Sequence, residues 1–173
     1  AQILRERRGE LIGAMMLEGN KTIPESDPEV SEAIDFAEYY RSIMAKMSSM
    51  KDIKWKPKGT ILVTSPWNFP CSIPAGGIFA GLITGNCVLF KPASDTAYIG
   101  WKLINAIWDA GVPKEVLQFV PCSGDEVGSG LIQDERVNSV ILTGGTETAK
   151  KFLKMRPNLD LAAEAGGKNA MII

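Results

Sequence analysis

The chain has 173 residues, of which 45% are hydrophobic and 23% charged, with a formal net charge of −1. One substantial domain fits that length, and a binder of nucleic acid that works by neutralising phosphates does not fit that charge. Histidine is absent, which removes a Ser-His-Asp triad, a Cys-His pair and any zinc site with a histidine ligand. The three cysteines, Cys71, Cys87 and Cys122, lack CxxC spacing, so neither a disulfide framework nor a four-cysteine metal site is expected. Free thiols fit a reducing compartment, and the expected location is cytoplasmic. No apolar run approaches the roughly 18 residues of a membrane span. The start, AQILRERRGE, has no apolar core of a secretory signal.

Residues 1–50 read as two scaffold helices. Ile3, Leu4, Leu11, Ile12, Met15 and Met16 recur at helical spacing in the first, and Gly19, Asn20 and Pro24 interrupt it. Ser26-Asp27-Pro28 resembles a capped helix start. Val30, Ile34, Phe36, Ala37, Tyr40 and Ile43 then form an apolar face, and Glu29, Glu32, Asp35, Glu38 and Arg41 are expected in water. No direct part in a site is expected of either helix. KDIKWKPK, residues 51–58, reads as a solvated basic connector.

From Gly59 the pattern changes to strands alternating with helices. GTILVT is a buried strand, and PAGGIFAGLIT (74–84) is a helix whose small residues allow close approach to a sheet. NCVLFK is a second strand, followed by a helix over 96–110 with Ile99, Leu103, Ile107 and Ala110 on one face, ended by Gly111 and Pro113. LQFV is a third strand, DEVGSGLIQD a short helix and VNSVILT a fourth strand, with a helix from near Thr146. LDLAAEA and NAMII read as further strand or loop-strand segments. This alternation implies parallel βαβ units, hence a doubly wound α/β sheet with helices on both faces. The expected division is 1–58, N-terminal helices and connector packed on the same domain, and 59–173, the α/β domain.

In such sheets ligands bind beyond the carboxyl ends of the strands. Four loops stand there: Ser65-Pro66-Trp67-Asn68, Lys91-Pro92-Ala93-Ser94, Pro121-Cys122-Ser123-Gly124 and Thr143-Gly144-Gly145-Thr146. In SPWNFP the two prolines limit the backbone, so the Asn68 amide is either a rigid donor to an oxygen gaining negative charge or part of a tight turn. Lys91 is either a ligand-rim lysine for ribose hydroxyls or phosphate, or a solvated strand end. TGGT offers backbone N–H groups to an anion or is a plain turn; no GxGxxG occurs in the chain. Glu164, beside Gly166-Gly167 and Lys168, is either a general base or a surface carboxylate. Cys71, near a helix start, has to be weighed as a nucleophile, but no base stands beside it in sequence and buried packing is the commoner role.

Taken together, Pro66 to Pro70 (PWNFP), Lys91 to Ala93 (KPA), Leu142 to Glu147 (LTGGTE) and Glu164 to Lys168 (EAGGK) resemble, in this order, the motifs of the aldehyde dehydrogenase superfamily. The helical start, with EGNK and EVSEAIDFAEYYR, is similar as well, and the likeness covers most of the chain. The resemblance implies a Rossmann-like coenzyme domain and NAD(P)+-dependent oxidation of an aldehyde to a carboxylic acid. In that chemistry a thiolate adds to the aldehyde, hydride passes to the nicotinamide and water hydrolyses a thioester. It assigns Asn68 the oxyanion hole, Lys91 the adenosine ribose, Gly144 and Gly145 the pyrophosphate, and Glu164 the activation of water. Ser65, Pro66, Trp67, Ala93, Ser94, Gly124, Gly128, Thr143 and Thr146 complete the expected cofactor contacts. No metal ligands are expected.

Two departures affect the cofactor. Gly145 replaces the family's usual serine, removing a side-chain hydrogen bond to pyrophosphate. Ser94 replaces the glutamate of many NAD-preferring members, so NAD is expected with NADP left open. The family's nucleophilic cysteine lies well downstream of the EAGGK segment in a separate catalytic domain, and none of the three cysteines matches it. The expectation is therefore a coenzyme-binding part of a longer protein, inactive alone. The ending AEAGGKNAMII looks like 1-pyrroline-5-carboxylate dehydrogenases, especially those fused to an FAD-dependent proline dehydrogenase in bacterial proline-utilisation proteins. Their substrate is glutamate γ-semialdehyde. The rival readings are a general or succinate-semialdehyde dehydrogenase and a non-catalytic nucleotide-binding relative. A homo-oligomer is expected of the full-length protein.

Overall fold

A computed structural model describes residues 1–125, 127–167 and 169–172. The sequence expectations that fall on Glu126, Lys168 and Ile173 lie outside the described residues. The N-terminal region forms three helices, α1 (Gln2–Glu6), α2 (Arg8–Gly19) and α3 (Ile23–Ser48). The expected single first helix is divided at Arg7, whose side chain reaches across to Asp109 at 2.5 Å.

The helix start expected at Ser26-Asp27-Pro28 is incorrect. Helix α3 begins at Ile23, capped by Thr22 and Glu25: the Glu25 carboxylate accepts from the Thr22 backbone N–H at 2.8 Å and its hydroxyl at 2.7 Å. Pro24 lies in the first turn, where a missing N–H costs nothing. Pro28 falls just beyond that turn, inside the helix.

The rest of the chain builds a sheet of five strands: β1 (Thr60–Thr64), β2 (Cys87–Lys91), β3 (Leu117–Phe119), β4 (Val137–Gly144) and β5 (Leu161–Ala165). Their order is β3-β2-β1-β4-β5, and every neighbouring pair is parallel. Parallel neighbours need crossovers, and four helices supply them: α4 (Ser72–Ile83), α5 (Ala97–Asp109, after a 3-10 turn at Ser94–Thr96), α6 (Val127–Gln133) and α7 (Thr146–Met155). The doubly wound α/β fold expected from the alternating pattern is the fold observed. Of the C-terminal strand segments, LDLAAEA supplies β5, whereas residues 169–172 form no strand.

The period of two within each strand sorts side chains between two cores. Ile61, Val63, Val88 and Phe90 face Leu11, Met15, Val30, Ile78 and Leu103, so α2 to α5 cover that face. Leu62, Val140 and Leu142 point the other way, against Ile132 of α6 and Phe152 of α7. Burying a side chain such as the fully enclosed Phe90 contributes about 1.5–3 kcal/mol. Helix α4 comes close to the sheet because two of its contact residues have no side chain. A Cβ at Gly77 would lie 2.9 Å from Val63 Cγ1, and one at Gly81 2.7 Å from Val88 Cγ2.

Two substitutions in helices should therefore have opposite effects. Gly81→Leu is expected to lower unfolding free energy by about 1–3 kcal/mol through overpacking. Gly13→Ala, where a Cβ meets nothing within 4 Å, is expected to raise it by about 0.5–1 kcal/mol through helix propensity. Denaturant midpoints at unchanged slope check both.

Candidate active site

The chain lays down β1, builds outward through β2 and β3, then crosses back to place β4 on the other side of β1. At that reversal the helices after β1 and β4 leave on opposite faces, and the strand ends open on a cleft of about 1030 Å³. Its walls come from four strand ends. They carry Ser65, Pro66, Trp67 and Asn68 after β1; Lys91 and Ala93 at the end of β2; Thr143, Gly144 and Gly145 at the end of β4; and Glu164 on β5. Gly124, from the β3–α6 connection, and Gly128, in the first turn of α6, close the side beside Lys91. Residues far apart in the chain thus share one surface because the parallel sheet ends there.

The loop after β1 is held from two directions. Pro66 and Pro70 restrict its backbone. Beneath it, Glu29 of α3 is 2% exposed. Its Oε2 accepts from the backbone N–H groups of Cys71, at 2.9 Å, and Ser72, at 3.2 Å. Lys21 pairs with the other carboxylate oxygen and donates to the Asn68 carbonyl at 2.8 Å. The expectation that Glu29 stays in water is thus overturned: free N–H groups at the start of α4 give a buried carboxylate its partners. The Asn68 amide itself is exposed and has no hydrogen-bond partner among the described residues.

On the β2 side, Lys91 Nζ donates to the Pro92 carbonyl at 3.0 Å. A Cβ on Gly128 would lie 3.1 Å from the Ser123 carbonyl oxygen and 3.7 Å from Lys91 Cε, so glycine there leaves room for the lysine stem. On the β4 side, α7 starts with Gly145 as N-cap and has no side-chain cap. Such a terminus has N–H groups and a positive dipole end to offer an anion. Gly145 has φ −74°, which any residue adopts, and a Cβ there would meet only Thr148 Oγ1 at 3.8 Å. A serine would fit without strain.

Glu164 pairs in register with Thr143, and its side chain is exposed on the outer strand. The turn after it depends on Gly166, with φ +79° and a would-be Cβ only 2.6 Å from Thr146 Oγ1. Two expected contacts do not line the cleft. Ser94 begins the 3-10 turn on the exposed side, and Thr146 packs beneath Gly166. Each is the last residue of its strand-end loop and the first of the next helical turn, which draws the chain away.

The structure also adds wall residues: Asp125, Thr148, Lys151 and Phe152. Lys151 Nζ stands 3.6 Å from Asp125 Oδ1. Thr148, Lys151 and Phe152 fall at i, i+3 and i+4, so a helical wheel drawn from Thr146 would have marked this face of α7.

Cys71 is the N-cap of α4, yet its side chain is fully buried. Burial pushes its thiol well above the ordinary range; the Glu29 carboxylate adds to the shift and Lys21 partly offsets it. A helix start does not make a thiolate there, and Cys71 is a packing residue.

The backbone and surface of the cleft suit a dinucleotide. An uncapped helix start and a lysine share this cleft, Gly128 stands where a Cβ would crowd the lysine stem, and Asn68 and Glu164 line the same opening. A family model described as the aldehyde dehydrogenase family matches residues 1–173, and the chain belongs to that family. It is 36% identical over 191 residues to the 1-pyrroline-5-carboxylate dehydrogenase of Geobacillus kaustophilus, covering 100% of this chain and 37% of the relative. It is 38% identical over 181 residues to the bifunctional protein PutA of Salmonella typhimurium, covering 100% of this chain and 14% of that protein.

Among solved structures, proline utilization A from Corynebacterium freiburgense matches with a TM-score of 0.93 and 38% identity, over 96% of this chain and 17% of that one. A 1-pyrroline-5-carboxylate dehydrogenase from Thermus with bound NAD matches with a TM-score of 0.88 and 31% identity, over 96% of this chain and 36% of that one. The chain therefore spans little more than a third, or less, of these relatives.

Thiol exposure gives a direct check on the site. Brief alkylation of the native protein near neutral pH is expected to modify exposed Cys87 and leave Cys71 unmodified, as read by peptide mass spectrometry. Rapid labelling of Cys71 would contradict its burial.

Proposed function

We propose that this chain is the coenzyme-binding part of an NAD+-dependent aldehyde dehydrogenase that converts L-glutamate γ-semialdehyde, the open form of 1-pyrroline-5-carboxylate, to glutamate. The observation that carries the reading is the convergence of Asn68, Lys91, Gly144-Gly145 and Glu164 on one cleft at the strand-order reversal. The named relatives support the substrate, and the NAD-bound Thermus neighbour supports the coenzyme. The overall change is aldehyde plus NAD+ plus water to carboxylate plus NADH, with release of two protons at neutral pH.

In this reading the residues of the chain divide the work. Lys91 and Ala93 hold the adenosine end, with Gly124 and Gly128 leaving room beside it. Thr143 to Gly145 and the start of α7 hold the pyrophosphate. Bound NAD+ supplies the acceptor for the electron pair that leaves the aldehyde carbon. Ser65, Pro66 and Trp67 shape the wall that leads from the nucleotide toward Asn68. The Asn68 amide donates to the aldehyde oxygen as it becomes an oxyanion. Glu164 takes a proton from the water that hydrolyses the thioester. The thiolate nucleophile belongs to a catalytic domain outside these residues, since Cys71 is buried and neither Cys87 nor Cys122 lines the cleft.

Residues 1–58 serve the same unit by packing on α4 and α5, while 59–173 form the coenzyme domain. The full protein is read as a cytoplasmic homo-oligomer, and the bifunctional PutA relatives support a fused proline dehydrogenase domain.

The full-length enzyme tests the reading by NADH formation. Glutamate γ-semialdehyde is expected to exceed succinate semialdehyde in kcat/KM by about tenfold or more. Asn68→Ala is expected to lower kcat by about 10²–10³-fold. Preference for another aldehyde would move the enzyme to a different substrate class, and absence of turnover with any aldehyde would favour a nucleotide-binding relative without catalysis.

Gly145→Ser tests the pyrophosphate assignment separately. The added hydroxyl is expected to tighten the Kd for NAD+ by about three- to tenfold, the scale of an ordinary net hydrogen bond. An unchanged Kd by calorimetry would place the pyrophosphate elsewhere.

A further inference from the structure

We infer that Lys21 and Glu29, outside the cleft, are positioning residues for the Asn68 amide. The inference rests on the reading of Asn68 as the oxyanion donor. Helix α2 is capped by Asn20, whose left-handed backbone, φ 52°, turns the chain so that Lys21 lies beneath the SPWNFP loop. The Lys21 side chain is 13% exposed and that of Glu29 1%. Such a charge pair is costly to desolvate and persists only where further hydrogen bonds complete it.

Here every further bond goes to the loop carrying Asn68 or to the helix start that follows it. Glu29 accepts from the N–H groups of Cys71 and Ser72, and Lys21 donates to the carbonyl of Asn68 itself. Lys21 Nζ also stands 4.4 Å from the centre of the Phe69 ring, a cation–π contact on the next residue. The pair therefore holds the main chain at Asn68 and again at Cys71-Ser72, while Pro66 and Pro70 limit the residues around it. The Asn68 side chain has no protein hydrogen bond among the described residues, so its direction depends on the main chain that Lys21 holds.

An oxyanion donor works only when its distance to the reacting oxygen is set in advance. A carboxylate from α3 and a lysine from the α2–α3 turn set it here without touching substrate.

The test uses the full-length enzyme with four forms: wild type, Lys21→Met, Asn68→Ala and the double variant. Lys21→Met is expected to lower kcat by about 10–100-fold, the scale of a misplaced catalytic group. The Kd for NAD+ is expected to stay within about twofold, which shows that the coenzyme domain is folded. In the Asn68→Ala background, Lys21→Met is expected to cost less than about twofold more, because its effect acts through an amide already removed. Multiplying losses in the double variant, or a Lys21→Met kcat within about twofold of wild type, would overturn the inference. An Asn68→Ala enzyme with full kcat would instead overturn the oxyanion reading beneath it. Should Lys21→Met lose NAD+ binding, Lys21→Gln, which keeps a donor toward Glu29 but shortens the reach, is read by the same criteria.

Discussion

The position of β1 between β2 and β4 is the constraint from which the site follows. Parallel strands cannot be joined by tight turns, so each crossover helix must lie on one face of the sheet or the other. Because the chain returns across β1 after β3, α4 and α7 lie on opposite faces and their first turns separate. The space between them is the cleft, and it receives the ends of four strands at once. Asn68, Lys91, Gly145 and Glu164 are neighbours because of this reversal.

That geometry leaves the loop after β1 to be fixed by other means. Its aromatic side chains Trp67 and Phe69 are exposed, so apolar packing does not hold it. The loop relies instead on two prolines and on a buried ion pair from the N-terminal helices. The carboxylate of Glu29 satisfies two N–H groups that begin α4, and Lys21 neutralises that carboxylate while gripping Asn68. The N-terminal helices thereby join the architecture of the site, in addition to covering the sheet. A buried charge pair is weak evidence for stability by itself, and its value here lies in fixing one arrangement of the loop.

Much of this was legible in the sequence, for identifiable reasons. Buried parallel strands read as continuous β-branched and apolar runs, as in TILVT and VNSVILT, and the residues after them mark the ligand side. The small residues of α4 announced its close approach to the sheet. Illegible were the features set by tertiary partners. Glu29 looks like any exposed helix carboxylate until α4 brings two unsatisfied N–H groups to it. Thr22 was hidden as a cap because the proline at 28 resembled a helix start more strongly than the one at 24. Cys71 belongs with the legible features. Its place at a helix start raises the question of a nucleophile, buried packing is the commoner role of such a cysteine, and burial is what the structure shows. Ser94 and Thr146 mark the limit of the strand-end rule, which identifies the loop but not which of its residues turn away.

A structure of the full-length protein with NAD+ bound decides whether the coenzyme lies at the strand-order reversal. Adenosine is expected beside Lys91 and Ala93, pyrophosphate over Gly144-Gly145 at the start of α7, and nicotinamide in the part of the cleft walled by Asn68 and Glu164. A nucleotide bound away from the reversal between β1 and β4, or one running in the opposite direction along the cleft, would contradict it.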